Sequence, residues 1–286
     1  MPTPIFGIDV PASTAGRDPI ARARAAERLG FDFISTNDHV LGTEPRSEAW
    51  TLMCWLAAST SRIQVASRVI GVPYREPALL AKMAESFDRL SGRRLILGLG
   101  AGSGEAQYRA MGLEAGTVGE RVTALEEAIE ILRGLWSKPD FSFAGRRYSV
   151  ANAQMEPKPA RRIPIWLGTA GERGLELVGR VADGWIPSLG YVPPAQTRTK
   201  IQAIIAAARE AGREPAEIAR IYNLEVSFGP ARNASVSGSS DEIAEQLIGF
   251  TRLGFTGFNF QPIGPDPMSD MRRLAAEVVP AVRAAA

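Results

Sequence analysis

The stretch DRLSGRRLILGLGAGSGEAQYRAMG (Asp88–Gly112) reads as the end of a helix, a glycine turn, a buried apolar strand and a glycine-rich loop that begins where the strand stops. A strand with no polar face belongs in a sheet covered on both sides, which is the habit of parallel sheets. Glycines directly after such a strand present bare backbone N–H groups and let a planar or anionic ligand approach more closely than any Cβ would allow. The stretch therefore points to a cofactor site at the carboxyl end of a parallel strand.

Outward from this segment, strand-like and helix-like segments alternate with little interruption. Strands are expected at Ile5–Val10, Phe33–Thr36, Ile63–Ile70, Leu95–Gly100, Ile163–Leu167, Gly184–Pro187, Ile221–Phe228 and Gly257–Phe260. Helices follow each of them. Gly30 stands where a left-handed cap ends the first helix, Pro77 opens the third, and Ser239-Ser240-Asp241-Glu242 forms a capping box. Leu79, Met83, Phe87 and Leu90 give the third helix an apolar stripe. Eight strand–helix units in one α/β chain with no Pro/Gly/Ser linker imply a single (β/α)8 TIM barrel over residues 1–286, with a small excursion at about 137–162. That excursion reads as a hairpin over Phe141–Val150, turning at Ala144-Gly145.

The chain has 286 residues, 45% hydrophobic and 22% charged, with 33 basic and 31 acidic residues interspersed. That composition supports a large core, and no basic run interleaved with aromatics speaks for nucleic acid. Cys54, the only cysteine, has no partner for an internal disulfide or a metal pair and is expected as a small buried hydrophobe. The segment MPTPIFGIDVP lacks the basic and apolar regions of an export signal, and no run reaches the ~20 apolar residues that span a bilayer. A cytoplasmic protein with a small-molecule substrate and no membrane partner is expected. The helix over Ser47–Ser59 is apolar on more than one face, which fits either burial within one chain or a homodimer interface.

Ligands of such barrels bind at the carboxyl ends of the strands. There the sequence places Asn37-Asp38-His39, Ser67-Arg68-Val69, the loop from Gly98 to Glu105, Gly168-Thr169-Ala170-Gly171 and Pro187-Ser188. His39 is the only histidine. A lone histidine is as a rule structural, but beside Asp38 at a strand end it can titrate near neutral pH and hydrogen-bond a reacting ring. One histidine without cysteine partners leaves no metal site. Gly98–Gly104 matches the GxGxxG pattern of dinucleotide-binding sheets, yet that fingerprint belongs after the first strand of an open sheet; a purely structural glycine loop is the other reading. Gly168–Gly171, directly before a helix, is the better phosphate candidate, with Arg173 available to add charge, against the plain reading of a strand–helix turn.

Five segments in this order resemble the bacterial luciferase-like monooxygenase superfamily, and within it the deazaflavin-dependent branch whose members use coenzyme F420. They are GFDFISTNDHV (Gly30–Val40), IQVASRVIGVPYREPALLAKMAESFDRLSGRRLILGLGAG (Ile63–Gly102), EAQYRAMG (Glu105–Gly112), IPIWLGTAG (Ile163–Gly171) and ADGWIP (Ala182–Pro187). The resemblance implies a bulge with a non-proline cis peptide at Arg68-Val69, preceded by Ser67, beneath the cofactor's central ring. It implies that Asp38 contacts the ring or the substrate, that His39 stands near the reactive carbon, that Ala101, Gly102 and Ser103 line the ring, and that Thr169, Ala170 and Gly171 hold the phosphate. Ser35 stands where many relatives carry Trp. Ser103 stands where some sugar-phosphate dehydrogenases of the branch carry a proton-donating carboxylate, so glucose 6-phosphate is not implied as substrate. The expected activity is hydride transfer between the deazaflavin C5 and a small organic substrate. An FMN-dependent monooxygenase or reductase on the same barrel, and a non-catalytic flavin-binding barrel, are the alternatives.

Overall fold

The computed structural model describes residues 3–13, 18–102, 104–230 and 235–285. Eight parallel strands form a closed barrel: β1 (Ile5–Asp9), β2 (Phe33–Thr36), β3 (Gln64–Ser67), β4 (Leu95–Gly100), β5 (Ile165–Leu167), β6 (Gly184–Trp185), β7 (Ala219–Ser227) and β8 (Gly257–Pro262). Each pairs with the next in sequence, and β8 pairs back onto β1, so no sheet edge is left in the barrel. The intervening helices include α1 (Pro19–Arg28), α2 (Ala49–Ala58), α3 (Pro77–Leu90), α4 (Glu105–Ala110), α5 (Val118–Ser137), α6 (Glu172–Val181), α7 (Pro194–Glu210) and α8 (Ser240–Leu253).

The strands divide the hydrophobic interior into two cores. The larger lies between strands and helices. The smaller is the plug inside the barrel, built from Phe33, Ala66, Ile96, Trp166, Ile186 and Ile221. The Phe33 and Trp166 rings meet edge to face with centroids 5.5 Å apart, a favoured aromatic geometry. Glycine faces each of them: a Cβ on Gly7 would lie 2.2 Å from the Phe33 ring, and one on Gly184 2.4 Å from Trp166. Above the plug runs a polar layer. Ser35 donates to Asn259 (3.1 Å), Asn259 to Asn223 (3.0 Å), and Asn223 to the Ile186 carbonyl (3.2 Å). The hydroxyl of Ser35 on β2 thus starts a hydrogen-bonded chain that runs through β8 and β7 to the residue that follows β6.

The third strand departs from the uninterrupted Ile63–Ile70 that its apolar run suggests. Its ladder with β4 runs through Val65 opposite Leu95 and Ala66 opposite Ile96, breaks, and resumes at Ile70 opposite Leu99. The Arg68–Val69 peptide between is cis. Ser67 bridges the gap with its side chain: its hydroxyl donates to the Gly98 carbonyl and accepts from the Gly98 N–H, both at 2.8 Å. A Cβ on Gly98 would stand 1.9 Å from the Ser67 carbonyl oxygen, and one on Gly100 2.6 Å from the Val69 side chain. The glycines of β4 therefore make room first of all for the neighbouring bulge.

Other differences have equally local causes. The long connection after β4 contains the short helix α4. The hairpin strands are Phe141–Ala144 and Ser149–Ala153, and the turn is wider than Ala144-Gly145 suggests. The Glu127 carboxylate on α5 accepts the N–H groups of Arg146 (2.7 Å), Arg147 (2.9 Å) and Tyr148 (3.0 Å) and so organises the turn. Cys54 is exposed rather than buried, because α2 buries Trp50, Met53, Leu56 and Ala57 and turns Cys54 and Trp55 outward.

Replacing Ser67 with Ala leaves the buried Gly98 N–H without an acceptor. An orphaned group of this kind costs about 1–3 kcal/mol, and a chain of this size loses about 2–4 °C in Tm per kcal/mol. Thermal unfolding of Ser67→Ala is expected to show that loss; an unchanged Tm contradicts the bridging role.

Candidate active site

At the carboxyl end of the barrel lies a cavity of about 450 Å³. Its walls bring together residues that are far apart in sequence: Asp38 and His39 after β2, Arg68 and Val69 from the bulge, Ala101 and Gly102 after β4, and Gly168, Thr169 and Ala170 after β5. Ser67 is fully buried behind this wall and does not line the cavity. Gly171 also lies outside the lining and is the N-cap residue of α6. Ser103 lies outside the described residues.

The Asp38 carboxylate, expected to contact the ring or the substrate, belongs to a residue of the cavity wall and is itself hydrogen-bonded within the protein. It accepts from Arg75 Nη1 (2.7 Å) and Nη2 (3.1 Å) and from the Gly71 N–H (3.0 Å). Arg75 also pairs with Glu48, the N-cap of α2. Asp38 thereby ties the β2 loop to the segment after the bulge and fixes the chain from which His39 projects.

His39 stands exposed at the cavity mouth. Partial burial, then the guanidinium charges of Arg46 and Arg68, hold its imidazole below the ordinary value of 6.5, with Asp38 opposing them. That opposition is weak because the Asp38 charge is already matched by Arg75. The ring is therefore neutral at neutral pH and offers both a donor and an acceptor nitrogen.

Several residues of this region carry no signal that the sequence reading recognised. Tyr108 on α4 donates to the Ala101 carbonyl at 2.6 Å, and burial pushes its phenol up to about 12. Gly102 has φ 82°, and a Cβ there would meet the Tyr108 hydroxyl at 2.0 Å. Tyr108 thus pins the loop that forms one edge of the cavity. Tyr74 packs against Tyr108 and lines the cavity. Asp9, at the end of β1, forms an ion pair with Arg68 at 3.0 Å. Its position was legible: residues 5, 7 and 9 share one face of β1 by the two-residue period, and Gly7 on that face meets the plug.

A planar ring carrying an anionic tail fits these walls. Ala101, Gly102 and Gly168 present small surfaces beside Val69. A Cβ on Gly168 would come within 3.0 Å of Val69, whereas one on Gly171 would meet nothing within 4 Å. The first turn of α6 has no side-chain cap, so its N–H groups can bind an anion. The Lys200 ammonium donates to the Ala170 carbonyl at 2.7 Å and brings a positive charge to the same loop. Arg173 does not: its guanidinium bonds the Gly119 carbonyl (3.1 Å) and Thr123 (3.2 Å), holding α6 to α5. Among the described residues no group of three or more His, Cys, Asp or Glu could hold a metal ion, and no helix is long and apolar enough to cross a membrane.

A closed (β/α)8 barrel with a bulged third strand and a glycine shelf beside it places the chain in a known group. It belongs to the luciferase-like monooxygenase family, whose model matches residues 5–248. It is 29% identical over 286 residues to an F420-dependent glucose-6-phosphate dehydrogenase of Nakamurella multipartita, covering 97% of this chain and 80% of that one. It is 28% identical over 256 residues to a 5,10-methylenetetrahydromethanopterin reductase of Methanolobus tindarius, covering 84% and 74%. The fold matches that of an F420-dependent secondary alcohol dehydrogenase in complex with an F420-acetone adduct at a TM-score of 0.89, with 19% identity over 98% of this chain and 99% of that one.

Because the chain has a single histidine, proton NMR reads its titration directly. The wild-type imidazole is expected to titrate below 6.5. Arg46→Ala removes a positive charge and moves the midpoint upward. A midpoint at or above 6.5 in the wild type, or one indifferent to Arg46, contradicts this electrostatic account.

Proposed function

We propose that this chain is a coenzyme F420-dependent oxidoreductase that exchanges a hydride with a small organic substrate. The observation that carries the reading is the joining of the Arg68–Val69 bulge, the Ala101–Gly102 edge and the Gly168–Ala170 loop around one cavity. The similarity to F420-dependent relatives along most of the chain supports it. When bound, the deazaflavin supplies a carbon that takes up or gives back a hydride.

This chain's residues supply the remainder. Val69, Ala101 and Gly102 would hold the planar part, and Gly168, Thr169 and Ala170, with the N–H groups opening α6, the anionic part. His39, kept neutral, accepts the hydroxyl proton of an alcohol donor at its unprotonated ring nitrogen and returns it in the reverse direction. Asp38 acts through Arg75 and Gly71 to set where His39 stands. Walls that exclude water strengthen each of these interactions.

We also propose that two copies of the chain associate through the outer faces of α2 and α3. A groove there of about 450 Å³ is lined by Trp50, Cys54, Met83, Phe87 and Leu90. Trp55 (66% exposed) and Leu90 (78%) form an apolar rim of a kind that a second copy would cover. Trp55→Glu is expected to sediment as a monomer where the wild type sediments as a dimer; a wild-type monomer contradicts this arrangement.

Titration of the purified protein with F420 and with FMN, followed by fluorescence, tests the cofactor. Tight deazaflavin and weak FMN binding are expected, and the reverse order overturns the assignment in favour of an FMN enzyme. His39→Ala is expected to bind the cofactor as the wild type does and to lose about a hundredfold or more in turnover, the scale of a lost acid–base group. Turnover is measured with a donor that reduces the wild-type protein's cofactor. Intact turnover removes His39 from the chemistry.

A further inference from the structure

A second cavity, of about 590 Å³, shares Asn37, His39 and Arg68 with the first and has walls of its own that include Asp9, Arg46 and Gln261. The charges of these walls are largely matched. Arg46 pairs with Glu44 at 2.6 Å. Arg68 gives both Nε (3.2 Å) and Nη2 (3.0 Å) to one oxygen of Asp9, Oδ1. The other oxygen, Oδ2, has no hydrogen-bond partner, although Asp9 is only 1% exposed. In the shared wall, Asn37 Oδ1 is likewise without a partner.

Buried acceptors are almost always satisfied, and one left unpaired on a residue that lines a cavity fits a ligand's donor. The surroundings narrow which donor. An ammonium group at Oδ2 would also lie beside the Arg68 guanidinium, which holds the other oxygen of the same carboxylate. A phosphate or carboxylate would bring acceptor oxygens and negative charge against another carboxylate oxygen. A neutral hydroxyl meets neither obstacle, and Asn37 can accept from a second one.

We propose that this second cavity is the substrate chamber and that Asp9 Oδ2 accepts a hydrogen bond from a hydroxyl of a neutral, hydroxyl-bearing substrate. This inference rests on the functional reading above, because the chamber meets the cofactor cavity at His39 and Arg68. Asp9 then does two things: Oδ1 holds the Arg68 side chain beside the bulge, and Oδ2 orients the substrate toward the shared wall. A phosphorylated compound is disfavoured at this end of the chamber.

The test uses matched neutral and phosphorylated pairs, glucose with glucose 6-phosphate and glycerol with glycerol 3-phosphate. Each is added to the deazaflavin-loaded protein, and binding is read from the fluorescence of the bound deazaflavin whether or not turnover follows. The neutral member of a pair is expected to bind more tightly to the wild type. In Asp9→Asn, Arg68 keeps its oxygen and the amide Nδ2 takes the place of Oδ2. The negative charge is gone, and the affinity ratio is expected to move about tenfold or more toward the phosphorylated member, with cofactor affinity unchanged. Three results overturn the inference: a phosphorylated member bound as tightly as its partner by the wild type, no binding of either neutral compound, or an unchanged ratio in Asp9→Asn. If that variant does not fold, the wild-type preference alone decides. A wild type that binds no deazaflavin overturns the functional reading itself, which is a different failure from deazaflavin binding without the preference.

Discussion

The reciprocal pair of hydrogen bonds between the Ser67 hydroxyl and the Gly98 backbone is the contact on which the arrangement of the site depends. A parallel ladder that loses its register would ordinarily leave buried N–H and C=O groups stranded. Here a side chain takes over where the backbone of β3 leaves the ladder, and β4 has no side chain at that point to obstruct it. The bulge can then carry Arg68 to one side, where it meets Asp9, and Val69 to the other, where it packs between Gly100 and Gly168. A single serine and a single glycine thus convert a plain barrel strand into a partition between two cavities.

Charge around the partition follows a consistent rule. Arg75 is matched by Asp38 and Glu48, Arg68 by Asp9, and Arg46 by Glu44. Each pair fixes a loop or strand end, and none presents a naked charge to the ring cavity. On His39 the small imbalance of these pairs adds to the effect of partial burial: the Arg46 and Arg68 guanidinium groups outweigh an Asp38 already paired with Arg75. The same matching makes the unpaired oxygen of Asp9 conspicuous, since the charged groups around it are paired.

Much of the barrel was legible in the sequence because its signals are local. Gly30 (φ 81°) and Gly254 (φ 111°) take the left-handed backbone suited to a helix end, and Ser239 and Glu242 form the reciprocal cap. The helix α5 begins one residue before Gly119, at a Thr117–Glu120 capping box of the same kind. The candidate site was legible as a set of strand ends, since in a closed parallel barrel these must converge. What stayed hidden depends on partners distant in sequence. The apolar run Ile63–Ile70 does not by itself show that the ladder breaks; the bulge and cis peptide at Arg68–Val69 were implied by the family resemblance alone, and the break is accommodated by Gly98, about thirty residues on. The Gly145–Tyr148 turn is shaped by a carboxylate on α5. Asp38 reads as a site acid because of its neighbour His39, yet its partner Arg75 lies beyond the bulge. Cys54 was misplaced because α2 is apolar on both faces, which removes the periodicity that normally distinguishes inside from outside.

The aromatic plug and the Ser35–Asn259–Asn223 chain above it have a further consequence. Together they give the barrel a solid floor. Phe33 and Trp166 are wedged against glycines, and the polar layer spends its donors and acceptors on itself, so a trimmed residue in either would open a void or strand a buried amide. Depth is therefore not a free variable in this molecule. What this chain accepts can be altered with least damage at the rim, where loops tolerate insertion and substitution, while the floor beneath holds its shape.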